Sequence, residues 1–90
     1  MANMPTDQEI LEGIREELLA IKVPDAESAE MDSTWGDLAV DSLDLVEVVA
    51  ALEDRYEIEI HDAQLNDIAS VRDAVNLVKE LAMEHEGVSA

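Results

Sequence analysis

The sequence predicts a small all-α bundle of three main helices plus one short helix. Three stretches carry apolar residues at helical spacing, and each follows a residue type that caps helices. The one stretch with strand-like alternation, residues 57–60, has no second strand to pair with, so we interpret it as an extended link. The chain has only two aromatic residues, so its core must consist mostly of Leu, Ile, Val and Ala.

Ninety residues suffice for one domain with a single modest core. We expect one domain over residues 1–90, ordered from about 6 to 86, with loose termini at 1–5 and 87–90. We expect this domain to be a monomer.

The first helix is predicted over residues 7–20. Thr6 and Glu9 fit a capping box, in which the Thr6 hydroxyl accepts from the Glu9 backbone and the Glu9 side chain reaches back. Gly13 costs this helix about 1 kcal/mol relative to Ala, and Pro24 marks its end. Its apolar residues keep helical spacing: Ile10, Leu11, Ile14, Leu18 and Ile21.

A long connection without helical periodicity follows over residues 25–40. Such a connection in a compact protein is usually functional or is pinned by a few anchors. Trp35 and Leu38 are the natural anchors, because they can bury apolar area beneath it. Their packing should then determine how Ser42 is presented.

A second helix of about four turns is predicted to end near Tyr56. Asp41 can accept from the backbone N–H groups exposed at its start, which places Ser42 at the first helical position. The Ser42 hydroxyl is thereby held beside the positive end of the helix dipole, where a partner protein can reach it.

The predicted second helix carries two apolar stripes. The longer stripe recurs at i, i+4, i+7 and i+11 and is fit for a core: Leu45, Val49, Leu52 and Tyr56. The shorter stripe is Leu43, Val46 and Ala50, interleaved with Asp44, Glu47 and Asp54. An apolar strip framed by carboxylates should point outward, either as a docking face or as ordinary surface.

The rest of the chain predicts a short helix and a last main helix. Asp62 is expected to cap the short helix over about residues 63–67, with Leu65 and Ile68 facing inward. Ser70 and Asp73 form a capping-box pattern for the last helix, with Asp in place of Glu, and Gly87 should stop it. Its apolar side is Val71, Ala74, Val75, Val78, Leu81 and Ala82.

The charge balance restricts the partners. Five basic residues against 23 acidic residues give a formal net charge of -18. Such a surface repels nucleic acid and anionic membranes, and it speeds encounter with basic partners. The chain has no Cys, no apolar run long enough for a membrane span and no signal-peptide pattern, so we expect a cytoplasmic protein.

The sequence gives little support for catalysis or metal binding. Ser42 lacks the Gly-x-Ser-x-Gly elbow of a hydrolase, and neither His61 nor His85 is placed as an evident base. The acidic residues lack the spacing of an EF-hand loop. We therefore expect neither an enzyme nor a specific metal site.

The motif Asp41-Ser42-Leu43, preceded by Asp37-Leu38, resembles the attachment motif of acyl carrier proteins, and the similarity continues through residues 56–60 and 69–75. The resemblance implies that a separate transferase moves 4'-phosphopantetheine from coenzyme A onto Ser42, and that the thiol of this arm carries acyl groups as thioesters. It implies fatty acid or polyketide biosynthesis, with ketosynthases and acyltransferases bearing basic docking patches as further partners. An aminoacyl, peptidyl or D-alanyl carrier is the closest alternative, and an unmodified acidic helical adaptor is an alternative from another class.

The resemblance also implies roles for individual residues. The partner-facing positions would be Asp41, Leu43, Asp44, Val46, Glu47, Ala50 and Asp54. The residues that could shelter an acyl chain would be Val49, Leu52, Ile60 and Val75. Ala39 departs from the family, which often has Gly at this position, and Ala fits there without strain only if its φ is not positive.

Overall fold

The computed structural model describes residues 5–88, with side chains at all of these positions except 62 and 84–88. Across this range the chain folds into four α-helices and one short 3₁₀ turn: α1 (Asp7–Ala20), the 3₁₀ turn (Ala26–Ser28), α2 (Ser42–Tyr56), α3 (Asp62–Leu65) and α4 (Val71–Val88). Residues 5–88 contain no β-strand, only an isolated antiparallel bridge between Thr34 and Ser70. The prediction of a small all-α bundle is confirmed.

The bounds of the first two helices agree with the sequence prediction, whereas those of the last two differ. α3 begins at Asp62 rather than after it, and the His61 N–H donates to the Gln64 side-chain oxygen at 2.9 Å. α4 continues through Gly87, which was predicted to stop it. Glycine ends a helix when its φ turns positive, and no described glycine has a positive φ. The predicted looseness of residues 1–4 and 89–90 falls outside the described residues.

α1 is held at both ends by local hydrogen bonds. The Thr6 hydroxyl accepts from the Glu9 N–H at 3.1 Å, as predicted. The reciprocal bond from Glu9 is not formed among the described residues, so only half of the predicted box is present. At the other end, Lys22 adopts a φ of 64° and the Val23 N–H donates to the Leu18 carbonyl at 2.9 Å, which closes a Schellman motif.

The core lies between α1, α2 and α4, with α1 packed against both other helices and against the 3₁₀ turn. Its largest fully buried side chains are Ile10, Ile14, Leu18, Val48, Leu52, Val71, Val75 and Val78. Val48 was not on the predicted core face, whereas Leu45 and Tyr56 of that face are only half-buried. The buried side of α2 is therefore rotated toward Val48, because this helix packs against α1 and α4 at once.

Gly13 lies where the end of α2 crosses α1. A Cβ atom at this position would stand 2.9 Å from the Arg55 guanidinium, so glycine permits the close approach. Arg55 reaches over it to Glu16 at 3.0 Å and Glu17 at 3.4 Å. The hydrogen bond to Glu16 raises the pKa of Arg55, and this ion pair joins the two helices.

Tyr56 should make the free energy of unfolding depend on pH in the alkaline range. Burial against α1 raises the pKa of Tyr56 above its usual value of 10.0. The unfolded chain then loses this proton first, so the free energy of unfolding should fall as pH rises above about 10. We expect urea midpoints at pH 9 and pH 11 to differ less in Tyr56→Phe than in the native protein. An equal loss in both proteins would show that Tyr56 is not responsible.

The connection before α2 is anchored as predicted. Trp35 and Leu38 are both buried, with exposed fractions of 6% and 3%. The Trp35 indole N–H also donates to the Ile68 carbonyl at 3.0 Å. No local sequence pattern predicts this bond. The 3₁₀ turn at Ala26–Ser28 was likewise not predicted.

Ala39 is strained in the turn that leads into α2. Its φ is 59°, in the left-handed region where an L side chain meets steric repulsion. The resemblance made Ala acceptable only at a negative φ, so this chain keeps Ala at an energetic cost. We expect Ala39→Gly to raise the free energy of unfolding by about 0.5–1 kcal/mol. Urea denaturation measures this, with Ala51→Gly inside α2 as a control that should destabilise the protein by about 1 kcal/mol.

Candidate functional site

The start of α2 is fixed by a reciprocal capping box. The Asp44 N–H donates to the Asp41 carboxylate at 2.9 Å, and the Asp41 N–H points back to the Asp44 carboxylate at 3.5 Å. The predicted role of Asp41 as the cap is confirmed, and Ser42 is the first residue of the helix. The sequence analysis missed the second half of the box, although the Asp-x-x-Asp spacing is its signal.

Ser42 is exposed at this helix start. None of the described residues forms a hydrogen bond with its hydroxyl. A partly open cavity of about 350 Å³ lies next to it and is lined by Ser42, Leu45, Val46, Leu65 and Asn66. The hydroxyl is therefore accessible and lies on the rim of a small, mainly apolar recess between α2 and the end of α3.

The shorter apolar stripe of α2 faces outward. Leu43 is 78% exposed, Val46 is 51% exposed and Ala50 is also exposed. The acidic residues around it are exposed at Asp41, Glu47 and Asp54 and half-buried at Asp44. The residues that sequence analysis assigned to partners thus share one exposed face, which we call the α2 face: Asp41, Leu43, Asp44, Val46, Glu47, Ala50 and Asp54.

The carboxylates of the α2 face are not neutralised by the described part of the chain. Its ion pairs use other acidic residues, joining Arg15 to Glu12, Arg55 to Glu16 and Glu17, Arg72 to Asp32, and Lys79 to Asp7. The hydrogen bond from Arg72 to Asp32 raises the pKa of this guanidinium. The α2 face therefore presents negative charge and apolar surface together, which suits a basic partner.

The residues named as an acyl shelter are buried. Val49, Leu52, Ile60 and Val75 have little exposed surface, and Leu52 and Val75 belong to the central core cluster. The Ile60 N–H donates to the Glu53 carboxylate at 2.8 Å, which fixes the link after α2. None of the four lines the cavity beside Ser42. Sequence analysis did not assign Leu65 and Asn66 to the site, because their proximity to Ser42 depends on tertiary structure.

Among the side chains that the structure describes, no group of three or more potential ligands is arranged to hold a metal ion. None of the helices within residues 5–88 is long and apolar enough to cross a membrane.

A small helical bundle that exposes the Ser42 hydroxyl at the start of α2 fits the class of phosphopantetheine-bearing carriers. The family model for the phosphopantetheine attachment site matches residues 9–78, which include the whole of α2. A helix N-terminus with a free hydroxyl suits a phosphodiester, because the helix dipole favours the negative charge of the phosphate.

Known proteins agree with this class. An acyl carrier protein of Thermobifida fusca is 38% identical over 76 residues, which cover 83% of this chain and 96% of that protein. A chloroplastic acyl carrier protein of Hordeum vulgare is 39% identical over 64 residues, 71% of this chain but only 43% of that protein. The solution structure of hexanoyl acyl carrier protein from the actinorhodin polyketide synthase of Streptomyces coelicolor superposes with a TM-score of 0.75. That pair is 26% identical, and the match covers 93% of this chain and 98% of that one.

The chain belongs to the acyl carrier protein family. Its cofactor is 4'-phosphopantetheine, covalently attached. Members of this family are carriers rather than catalysts, and they interact with acyl-processing enzymes.

Proposed function

We propose that Ser42 carries the 4'-phosphopantetheine arm and that the chain delivers acyl intermediates to enzymes of fatty acid or polyketide biosynthesis. The observation that supports this most is the exposed Ser42 hydroxyl on the first turn of α2, beside a cavity of about 350 Å³. The arm supplies a terminal thiol on which an acyl group is held as a thioester.

The attachment step requires little from the chain itself. A separate phosphopantetheinyl transferase activates the hydroxyl, and the Ser42 oxygen bonds to the phosphorus of the pantetheine phosphate. The serine proton leaves, the bond from that phosphorus to the adenosine bisphosphate portion of coenzyme A breaks, and a phosphodiester remains. The chain contributes position: the Asp41–Asp44 box fixes the first turn of α2 and thereby holds Ser42 where an enzyme can reach it.

The α2 face serves as the docking surface in this proposal. Its exposed Leu43 and Val46 supply apolar contact, and the surrounding carboxylates, which form no ion pair with the described residues, attract partners with basic patches. The transferase, ketosynthases and acyltransferases are the partners that we propose. The same surface would serve each of them in turn, because all must approach the same residue.

We favour an acyl group over an aminoacyl, peptidyl or D-alanyl group as the cargo. The relatives are acyl carrier proteins by name, and the solved neighbour comes from a polyketide synthase. We propose the cytoplasm as the location, although the Hordeum vulgare relative is chloroplastic.

Intact mass measurement tests this proposal directly. The protein is incubated with coenzyme A and a broad-range phosphopantetheinyl transferase. We expect a gain of one phosphopantetheinyl group, located by peptide mapping on the peptide that contains Ser42. An unchanged mass would favour the unmodified adaptor, and a gain on another peptide would contradict the assignment. Transfer assays with acyl and aminoacyl thioesters then separate the two kinds of carrier.

A further inference from the structure

Trp35 connects the segment before Ser42 to the segment that follows α3. Its backbone carbonyl accepts from the Val40 N–H at 2.9 Å, two residues before Ser42. Its indole N–H donates to the Ile68 carbonyl at 3.0 Å. Ile68 follows shortly after two residues that line the cavity: Leu65, the last residue of α3, and Asn66. One buried residue therefore joins the segment that delivers Ser42 to the corner between α3 and α4.

The neighbouring loop residues hold the same corner. The Val71 N–H donates to the Ser33 carbonyl at 2.9 Å, and the Arg72 N–H donates to the Met31 carbonyl at 3.0 Å. The Arg72 guanidinium also binds Asp32 at 2.7 Å. These bonds satisfy backbone donors at the start of α4, which has no earlier turn to accept them. The start of α4 is thus fixed to the loop, and Ile68 itself is held by the Trp35 indole bond.

Of the two helices that line the cavity, α3 has the weaker tertiary packing. It has only four residues, and its backbone does not approach another helix closely, whereas α2 packs against both α1 and α4. Short segments with few tertiary contacts open locally at low free-energy cost. When the cavity widens, α3 should move and α2 should not.

We propose that Trp35 is a positioning residue: its indole bond to Ile68 makes that corner a fixed point about which α3 moves, and so sets the resting width of the cavity beside Ser42. The use of this controlled cavity width by a carrier rests on the proposed function, in which an acyl chain attached through Ser42 needs the cavity. The physical claim can be measured in the unmodified protein as well.

The first test compares hydrogen exchange in two unmodified variants. Trp35→Phe keeps an aromatic ring but removes the N–H donor. The amides of Leu65, Asp67 and Ile68 form hydrogen bonds within the α3 region. We expect their hydrogen exchange to become about tenfold faster, because this factor corresponds to the loss of one hydrogen bond. Ile14→Val is the matched control, because it removes a buried methylene from α1 and leaves the hydrogen bond between Trp35 and Ile68 intact. The same acceleration of these amides in both variants overturns the proposal.

The second test uses the native sequence and does not depend on how well a variant folds. Trp35 is the only tryptophan, so its indole N–H gives one NMR signal. After loading with a medium-chain acyl group, confirmed by mass, we expect the Leu65 and Asp67 amides to exchange faster while the indole N–H keeps its rate. Unchanged α3 amides, or an indole N–H that accelerates with them, overturn the proposal. A protein that gains no mass contradicts the proposed function instead, and the comparison of unmodified variants still decides the role of Trp35.

Discussion

Ser42→Ala is expected to abolish loading with phosphopantetheine while leaving the helices intact. The substitution removes the only hydroxyl on the first turn of α2, so the mass of the protein should stay unchanged after incubation with transferase and coenzyme A. The Ser42 hydroxyl is exposed and bonds to none of the described residues, so its loss should change the free energy of unfolding by about 0.5 kcal/mol or less. Circular dichroism and urea denaturation measure the fold in parallel.

Ser28→Ala is the matched control for this prediction. Ser28 is also exposed, and it lies in the 3₁₀ turn after α1 rather than on α2. We expect this variant to load at the rate of the native protein. Normal loading of Ser42→Ala would contradict the assignment of the attachment residue, and failure of both variants would indicate a defect unrelated to the site.

The elements that were predicted correctly are those that the chain encodes locally. Thr6 caps α1 and Asp41 caps α2 because each side chain reaches a backbone N–H three residues away, a distance within one turn. The outward position of Leu43 and Val46 follows from the helical repeat once that start is known. Local hydrogen bonds and periodicity thus sufficed to place Ser42 at the exposed start of a helix.

The features that were missed depend on residues far apart in the chain. The Trp35 indole bonds to Ile68, 33 residues away, and the buried side of α2 turns toward Val48 because two other helices cover it. Such contacts are set by packing, and a single sequence does not reveal them.

Glu47→Lys is expected to weaken docking of the unmodified protein to the transferase without slowing the chemical step. Glu47 is exposed beside Val46 on the α2 face, and it belongs to none of the ion pairs of the described residues. The reversal replaces an attraction to a basic partner by a repulsion. We expect kcat/KM for loading to fall about tenfold, which corresponds to about 1.4 kcal/mol of lost binding. The change should appear in KM, because a charge at the docking surface contributes equally to ground-state and transition-state binding.

Glu27→Lys separates this effect from a general change of charge. Glu27 is exposed on the 3₁₀ turn that packs against α1, so the variant has the same net charge as Glu47→Lys but an unaltered α2 face. We expect its KM to stay within about twofold of the native value, because exposed charges farther apart than the Debye length are largely screened at physiological salt. Raising the salt concentration should then narrow the difference between the native protein and Glu47→Lys. Equal losses in the two variants would mean that net charge alone steers the partner, and the α2 face would no longer be the docking surface.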